Sequence, residues 1–122
     1  MPLIGKGDFY WNTIHVDDAA SAMVYCYFNF DRLKNRTINF TDFNPITFSK
    51  ILEDISFHFG LKKPSKIPRW IARLVLKKDL YRFVTASYKV KKEEGIADWN
   101  PEHPNFIQGI ISIAEPEKSN RV

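Results

Sequence analysis

Asn12-Thr13-Ile14-His15-Val16-Asp17-Asp18-Ala19-Ala20-Ser21-Ala22 reads as a short strand delivering the chain into a helix. Ile14-His15-Val16 alternates and is β-branched at both ends, which suits a strand. Asp17 or Asp18 then offers a carboxylate to the free N–H groups of a first helical turn, the usual place for a cap. The helix is predicted over about residues 18–29, with Ala19, Ala22, Met23, Cys26 and Tyr27 forming its apolar stripe.

Working outward, Pro2 to Asp8 is a Gly-rich loop or strand end, and Asp31 to Arg36 is a polar turn. Thr37-Ile38-Asn39-Phe40-Thr41 alternates as a second strand, closed by Asp42-Phe43-Asn44-Pro45. Thr47 is placed to cap an amphipathic helix over 48–59, with Phe48, Ile51, Leu52, Ile55 and Phe59 at helical spacing and Gly60 as its left-handed end. Pro68 heads a third helix, Arg69 to Lys77. Residues 79–90 read as either helix or strand, running into the lysine-rich 89–94. Asp98 to Pro101 is a turn, 104–114 a last helix, and 115–122 a polar tail predicted to fray.

Composition sets the outer bounds. The 122 residues are 44% hydrophobic and 15% aromatic, enough apolar material for the core of one domain spanning 1–122. There is no run of about 18 apolar residues to span a membrane. The amino terminus has no signal-peptide hydrophobic region. A single cysteine, Cys26, excludes an internal disulfide and fits a reducing, cytoplasmic setting. Lying among Met23, Val24, Tyr25 and Tyr27, it reads as a small hydrophobe rather than a nucleophile. A formal charge of +4 gives no argument for nucleic acid, and three His without paired Cys give no zinc-ligand spacing.

Four constellations invite chemistry. Gly5-Lys6-Gly7 has neither a preceding strand nor a third small residue at position 10, which is Tyr10, so it reads as a turn rather than a dinucleotide loop. Tyr88-x-x-x-Lys92 has the spacing by which a helical lysine lowers a tyrosine's pKa for proton transfer, but it sits alone in a lysine-rich stretch and reads as coincidence. His15 beside Asp17 and Asp18 suggests an acid/base pair, yet no Ser or Cys nucleophile accompanies it, so a structural histidine and a cap are the plainer reading. Arg69, Arg73 and Lys77 recur every fourth residue beside Trp70, Ile71, Leu74 and Val75, which describes either an ordinary surface helix or a basic amphipathic one.

Five pieces stand in a telling order: Ile14-His15-Val16-Asp17-Asp18; Ile38-Asn39-Phe40-Thr41-Asp42 with Pro45; Phe48 to Gly60-Leu61; Lys66-Ile67-Pro68-Arg69-Trp70; and Ile96-Ala97-Asp98-Trp99-Asn100-Pro101 followed by Gly109-Ile110. Together they resemble the carboxyl-terminal part of the extended short-chain dehydrogenase/reductase superfamily, the NAD-dependent epimerase/dehydratase group, and most nearly its 3β-hydroxysteroid dehydrogenase-like branch. The resemblance implies a helix-rich α/β, substrate-side part of an extended Rossmann-type reductase, with two or three short strands and the nucleotide-binding half missing. It implies no catalytic, cofactor or metal residue within 1–122; NAD or NADP would belong to the full-length enzyme. The loop Gly7, Tyr10, Trp11, Asn12 with His15 would border the substrate pocket, and Pro68 and Trp70 its far wall. Sugar-nucleotide epimerases place an arginine where this chain has Trp11, so an apolar or small carbonyl or alcohol substrate is expected.

Three functions follow as expectations. The first is a truncated, split or degenerate substrate-side fragment, inactive alone, that self-associates or meets a nucleotide-binding partner domain. The second is a non-enzymatic dimerising or ligand-binding module. The third is a basic small protein associating with membrane or nucleic acid through the helix that begins at Arg69.

Overall fold

The computed structural model describes residues 2–119, with side chains through Glu115. The fold is helix-rich α/β. In chain order it comprises β1 (Leu3–Ile4), β2 (Tyr10–Trp11), α1 (Val16–Phe28), α2 (Phe30–Leu33), β3 (Ile46–Thr47), α3 (Phe48–His58), β4 (Lys66–Ile67), α4 (Arg69–Val75), α5 (Lys78–Thr85), a 3-10 turn at Glu94–Ile96, and α6 (Phe106–Ser119). The strands form two separate pairs. β1 runs parallel to β4, with Leu3 beside Lys66 and Ile4 beside Ile67. β2 runs antiparallel to β3, with Tyr10 opposite Thr47 and Trp11 opposite Ile46.

The strands are not where alternation put them. Ile14–Val16 and Thr37–Thr41 carry no ladder among the described residues. A single backbone bond, from Asp42 N–H to Thr13 O at 2.8 Å, joins the two stretches. Their alternation reports side-chain burial: Ile14, Ile38 and Phe40 all pack on one cluster. A strand also needs a neighbour's backbone, and periodicity cannot say whether one is present. The four observed strands, each only two residues long, are too short to produce a pattern.

Two apolar clusters hold the elements. Ala22 of α1, Leu33 of α2, Ile96 and Trp99 form the first, with Phe40 and Phe43 edge-on to the Trp99 indole at 5.0 and 6.0 Å. Leu3, Phe9 and Phe48 form the second, where Trp11 lies 4.7 Å from the Phe48 ring. α3 packs along α6, and Ile51, Ile110 and Ala114 are buried.

Gly5–Gly7 is a turn, as expected, with both glycines at positive φ and Gly7 N–H donating to Ile4 O at 3.2 Å, but β1 does precede it, contrary to the sequence reading. A Cβ on Gly7 would stand 2.4 Å from Leu3 Cδ1, so only glycine fits above that core residue. Gly60 ends α3 at φ +65°, as expected.

Several helical readings shift. α1 begins at Val16, earlier than expected, because its cap is His15: the Nδ1 atom accepts the Asp17 N–H at 3.2 Å, leaving both aspartates inside the first turn. The polar segment 31–36, expected as a turn, holds most of α2, which begins at Phe30. The helix from Arg69 stops at Val75, and the ambiguous 79–90 splits into α5 and a non-helical run from Ala86 to Glu93. α6 starts at Phe106, and its backbone stays helical to Ser119; residues 120–122 of the tail lie outside the described residues. The α1 stripe is only partly buried. Met23 and Tyr27, expected inside, are 76% and 77% exposed, while Asp18 is 1% exposed.

Ile96 is fully buried in the first cluster. Ile96→Ala should cost about 2–5 kcal/mol of unfolding free energy, read by urea denaturation; a loss well under 1 kcal/mol would mean this cluster does not organise the fold.

Candidate functional site

Two histidines and one aspartate, His15, His103 and Asp42, line a cavity of about 300 Å³, bounded also by Thr13 to Val16 and the first turns of α6. The buried Asp18 carboxylate accepts N–H bonds from Glu102 (2.7 Å) and His103 (3.0 Å), and His103 Nδ1 lies 3.3 Å from the same group. The start of α1 is thus fastened to the turn before α6. His15 and His103 stack with ring centroids 3.8 Å apart and a 23° interplanar angle.

The bonds around His15 fix its tautomer. Nδ1 accepts from Asp17 N–H, so Nε2 carries the proton and donates to Ser112 Oγ at 3.1 Å, and that hydroxyl donates in turn to Gly109 O at 2.7 Å. The fold thus brings a serine to His15, which the sequence did not place there, but in this tautomer Ser112 Oγ accepts from the imidazole and donates to Gly109 O, so the ring does not act as its base. The ligand atoms of His15, Asp17 and His103 lie within 4.8 Å of one another. The stacked rings, however, point their in-plane lone pairs side by side rather than towards one point, and His15 Nδ1 is already engaged. In this arrangement they do not converge on a metal.

Burial pushes the Asp42 carboxyl above the ordinary carboxylate range. The Asp18 charge adds to that rise, and hydrogen bonds from Thr13 Oγ1 and Asn44 N–H oppose it.

A second concavity, about 330 Å³, gathers three of the expected substrate residues. It is lined by Tyr10, Trp11, Asn12 and Tyr88 on the β2 side and by Arg82 and Phe83 of α5, with Ala86 following that helix. The segment 87–90 runs along the free edge of β2. Tyr10 N–H donates to Ser87 Oγ (3.0 Å), and Tyr88 N–H donates to Tyr10 O (3.1 Å). Both ends of the Asn12 amide are also committed, Nδ2 donating to Tyr88 O (3.1 Å) and Oδ1 accepting from Val90 N–H (2.9 Å). Asn12 therefore builds the wall rather than presenting a free group to a ligand.

What faces the cleft is aromatic and cationic. Lys89 Nζ sits 3.9 Å from the Tyr10 ring centroid. Arg82 has no carboxylate partner among the described residues. Aromatic faces with one cation suit a flat or ring-shaped ligand carrying negative charge.

The remaining expected residues lie apart. Gly7 is buried beneath Leu3 and Ser49, His15 belongs to the first cavity, and Pro68 and Trp70 are exposed at the head of α4, lining neither cavity. Tyr88 and Lys92 stand in non-helical chain, so their spacing does not bring them together as a helical turn would; Lys92 Nζ instead donates to Asn100 Oδ1 at 2.9 Å. Of the two readings left open for 79–90, helix holds only to Thr85 and strand for none of it. Sequence reasoning missed Arg82, Phe83, Asp42 and His103. Each joins its site through contacts 29 to 85 residues away in sequence, and no local pattern marks such partners.

The sequence matches no family model and no curated protein. Two solved structures share its fold. A functionally unknown conserved protein from Silicibacter pomeroyi DSS has a TM-score of 0.72 at 16% identity, covering 95% of this chain and 40% of its own. A dTDP-glucose 4,6-dehydratase from Bacillus anthracis, solved in complex with NAD, has a TM-score of 0.65 at 21% identity, covering 98% of this chain and 34% of its own. At these identities the likeness is one of fold, and the chain spans well under half the length of either structure.

Since Asp42 is held more readily protonated in the fold than in the unfolded chain, it stabilises most at acid pH, and that advantage fades as pH rises past the unfolded and then the folded pKa. The stability gap between wild type and Asp42→Asn should therefore narrow from pH 4 to pH 7 in urea titrations. A gap that widens with pH would reverse the assigned direction.

Proposed function

We propose that residues 1–122 act as the substrate-side domain of an NAD(P)-dependent dehydrogenase, reductase or epimerase of the extended short-chain type. The nucleotide-binding half would come from the same polypeptide or from a second one. One observation carries the reading: nearly the whole chain follows the backbone of an NAD-complexed dehydratase while accounting for about a third of it. The five ordered sequence pieces support it independently.

In this reading the parent reaction moves a hydride between a nicotinamide and an alcohol or carbonyl carbon. This chain supplies neither the dinucleotide loop nor the proton-transfer residues. Its contribution is to hold the substrate against them. Tyr10, Trp11 and Tyr88 present flat apolar surface, Arg82 offers charge to an anionic substituent, and the Asn12 amide keeps the wall in place. Orientation of this kind lowers a barrier by fixing the reacting groups before reaction.

The exposed face of α1 supports an incomplete surface. Met23, Val24, Tyr27 and Phe28 stand in solvent beside a shallow apolar depression formed by Ile14, Ala19, Ala22, Cys26 and Phe40. Contiguous apolar surface of this kind marks a protein contact. We assign it to the nucleotide-binding half, with self-association as its substitute when that half is absent.

Two measurements test the proposal. Fluorescence titration of the isolated chain with NAD(H) and NADP(H) should give no saturable response, and saturable binding would overturn the division of labour. By sedimentation velocity the chain should associate, and Met23→Lys/Tyr27→Lys should shift it towards monomer with little change in melting temperature; a wild type that stays monomeric at high concentration removes the argument from α1.

A further inference from the structure

α4 and α5 form a hairpin with apolar side chains on both of its sides. Inward, Ile71, Ala72, Leu76, Leu80 and Val84 line an apolar cavity of about 420 Å³ closed by β1 and β4. Outside that lining, Trp70, Leu74 and Phe83 are 65%, 78% and 75% exposed. Between them stand Arg73, Lys77, Lys78 and Arg82. Among the described residues none of these four has a carboxylate within ion-pair distance, and Asp79 is the single acid of the two helices. The Arg73 guanidinium rests 5.4 Å from the Tyr81 ring centroid, which keeps it on the hairpin.

The chain therefore exposes two apolar faces of opposite composition. α1 carries Met, Val, Tyr and Phe with no basic residue, which matches the centre of a protein interface, where aromatics and Met are enriched and Lys is depleted. The α4–α5 face interleaves Trp, Leu and Phe with Lys and Arg. That mixture suits helices lying in the plane of a bilayer, where apolar side chains enter the acyl boundary and long cationic stems reach back to the phosphates. No described helix is long and apolar enough to cross a membrane, so the contact would lie on the surface.

We propose that the outer face of α4–α5 docks on an anionic phospholipid bilayer. Trp70, Leu74 and Phe83 insert, and Arg73, Lys77, Lys78 and Arg82 meet lipid phosphates. Charge complementarity selects this occupant: a second copy of the hairpin would set four cations against four cations. The face shares Arg82 and Phe83 with the rim of the cleft, but the proposal does not depend on the substrate-side reading and survives its failure.

The test is co-sedimentation of the full chain with phosphatidylcholine vesicles, with and without phosphatidylglycerol. Binding is expected only with phosphatidylglycerol, falling with added salt. Arg73→Glu/Lys77→Glu should weaken it about tenfold or more, while Lys62→Glu/Lys63→Glu, an equal charge change away from the hairpin, should weaken it much less. Brominated lipid should quench fluorescence in the wild type and markedly less in Trp70→Phe. All four sites are exposed, and circular dichroism checks that each variant stays folded. Equal binding to neutral vesicles, absence of binding, equal loss in both charge-reversed variants, or binding of a soluble single-chain amphiphile in place of vesicles would each overturn the proposal. So would a dimer that Trp70→Ser/Phe83→Ser converts to monomer.

Discussion

The carboxylate of Asp18 carries more of this architecture than any hydrophobic contact. It is buried, and its two oxygens take the backbone N–H groups of Glu102 and His103 from the far end of the chain. A buried carboxylate without such partners is prohibitively costly, so once α1 folds with Asp18 facing inward the turn before α6 has to close over it. That closure sets the position of α6, hence its packing on α3, and stacks His103 on His15. The first apolar cluster, which takes Ala22 from α1, forms beside this polar fastening. A second ionic tie, in which Tyr25 donates to Asp98 and Arg32 bonds Tyr25, Asn29 and the Gly95 carbonyl, repeats the arrangement at the other end of α1.

Reading the chain in advance identified what local chemistry controls. The left-handed end at Gly60, the amphipathic α3 and the turn at Gly5–Gly7 follow from patterns within a few residues, whereas the α/β class comes from the order of the five pieces along the chain. What could not be read depends on partners. Ile14–Val16 and Thr37–Thr41 have the side-chain rhythm of strands but lack a neighbouring backbone, whereas β1 to β4 exist because chance proximity of two-residue stretches supplies one. His15 displaced the aspartates as the α1 cap because its ring can reach the Asp17 N–H while Asp18 is drawn inward by residues more than eighty positions on. In the cleft, Tyr10 and Trp11 were legible as aromatic loop residues. Arg82 and Phe83 were not, since nothing within α5 says that its flank faces β2. Asn12 was expected to touch a ligand and is instead a bracket between two backbone stretches, a role visible only once residues 88–90 are beside it.

The likeness to two much longer structures and the two exposed faces belong to one physical problem. A chain that leaves Met23, Tyr27, Trp70, Leu74 and Phe83 in water has a surface with hydrophobic free energy still available from burial. The distribution of cations divides that surface. α1 offers an uncharged face suited to a protein, and α4–α5 offers one suited to a charged boundary. The cleft of Tyr10, Trp11 and Arg82 adjoins the basic face, because α5 contributes to both.

The edge-bound segment at 87–90 has a consequence for how that cleft can respond to an occupant. One jaw is riveted: Tyr10, Asn12, Ser87, Tyr88 and Val90 interlock through four hydrogen bonds spanning more than seventy positions of chain. The opposing jaw is α5, in which no residue is fully buried. Any change in aperture therefore falls on the helix, which gives way at small energetic penalty while the aromatic side stays put. For the substrate-side role proposed above, selectivity would then be asymmetric, with shape enforced by the stationary side and size tolerated by the yielding one.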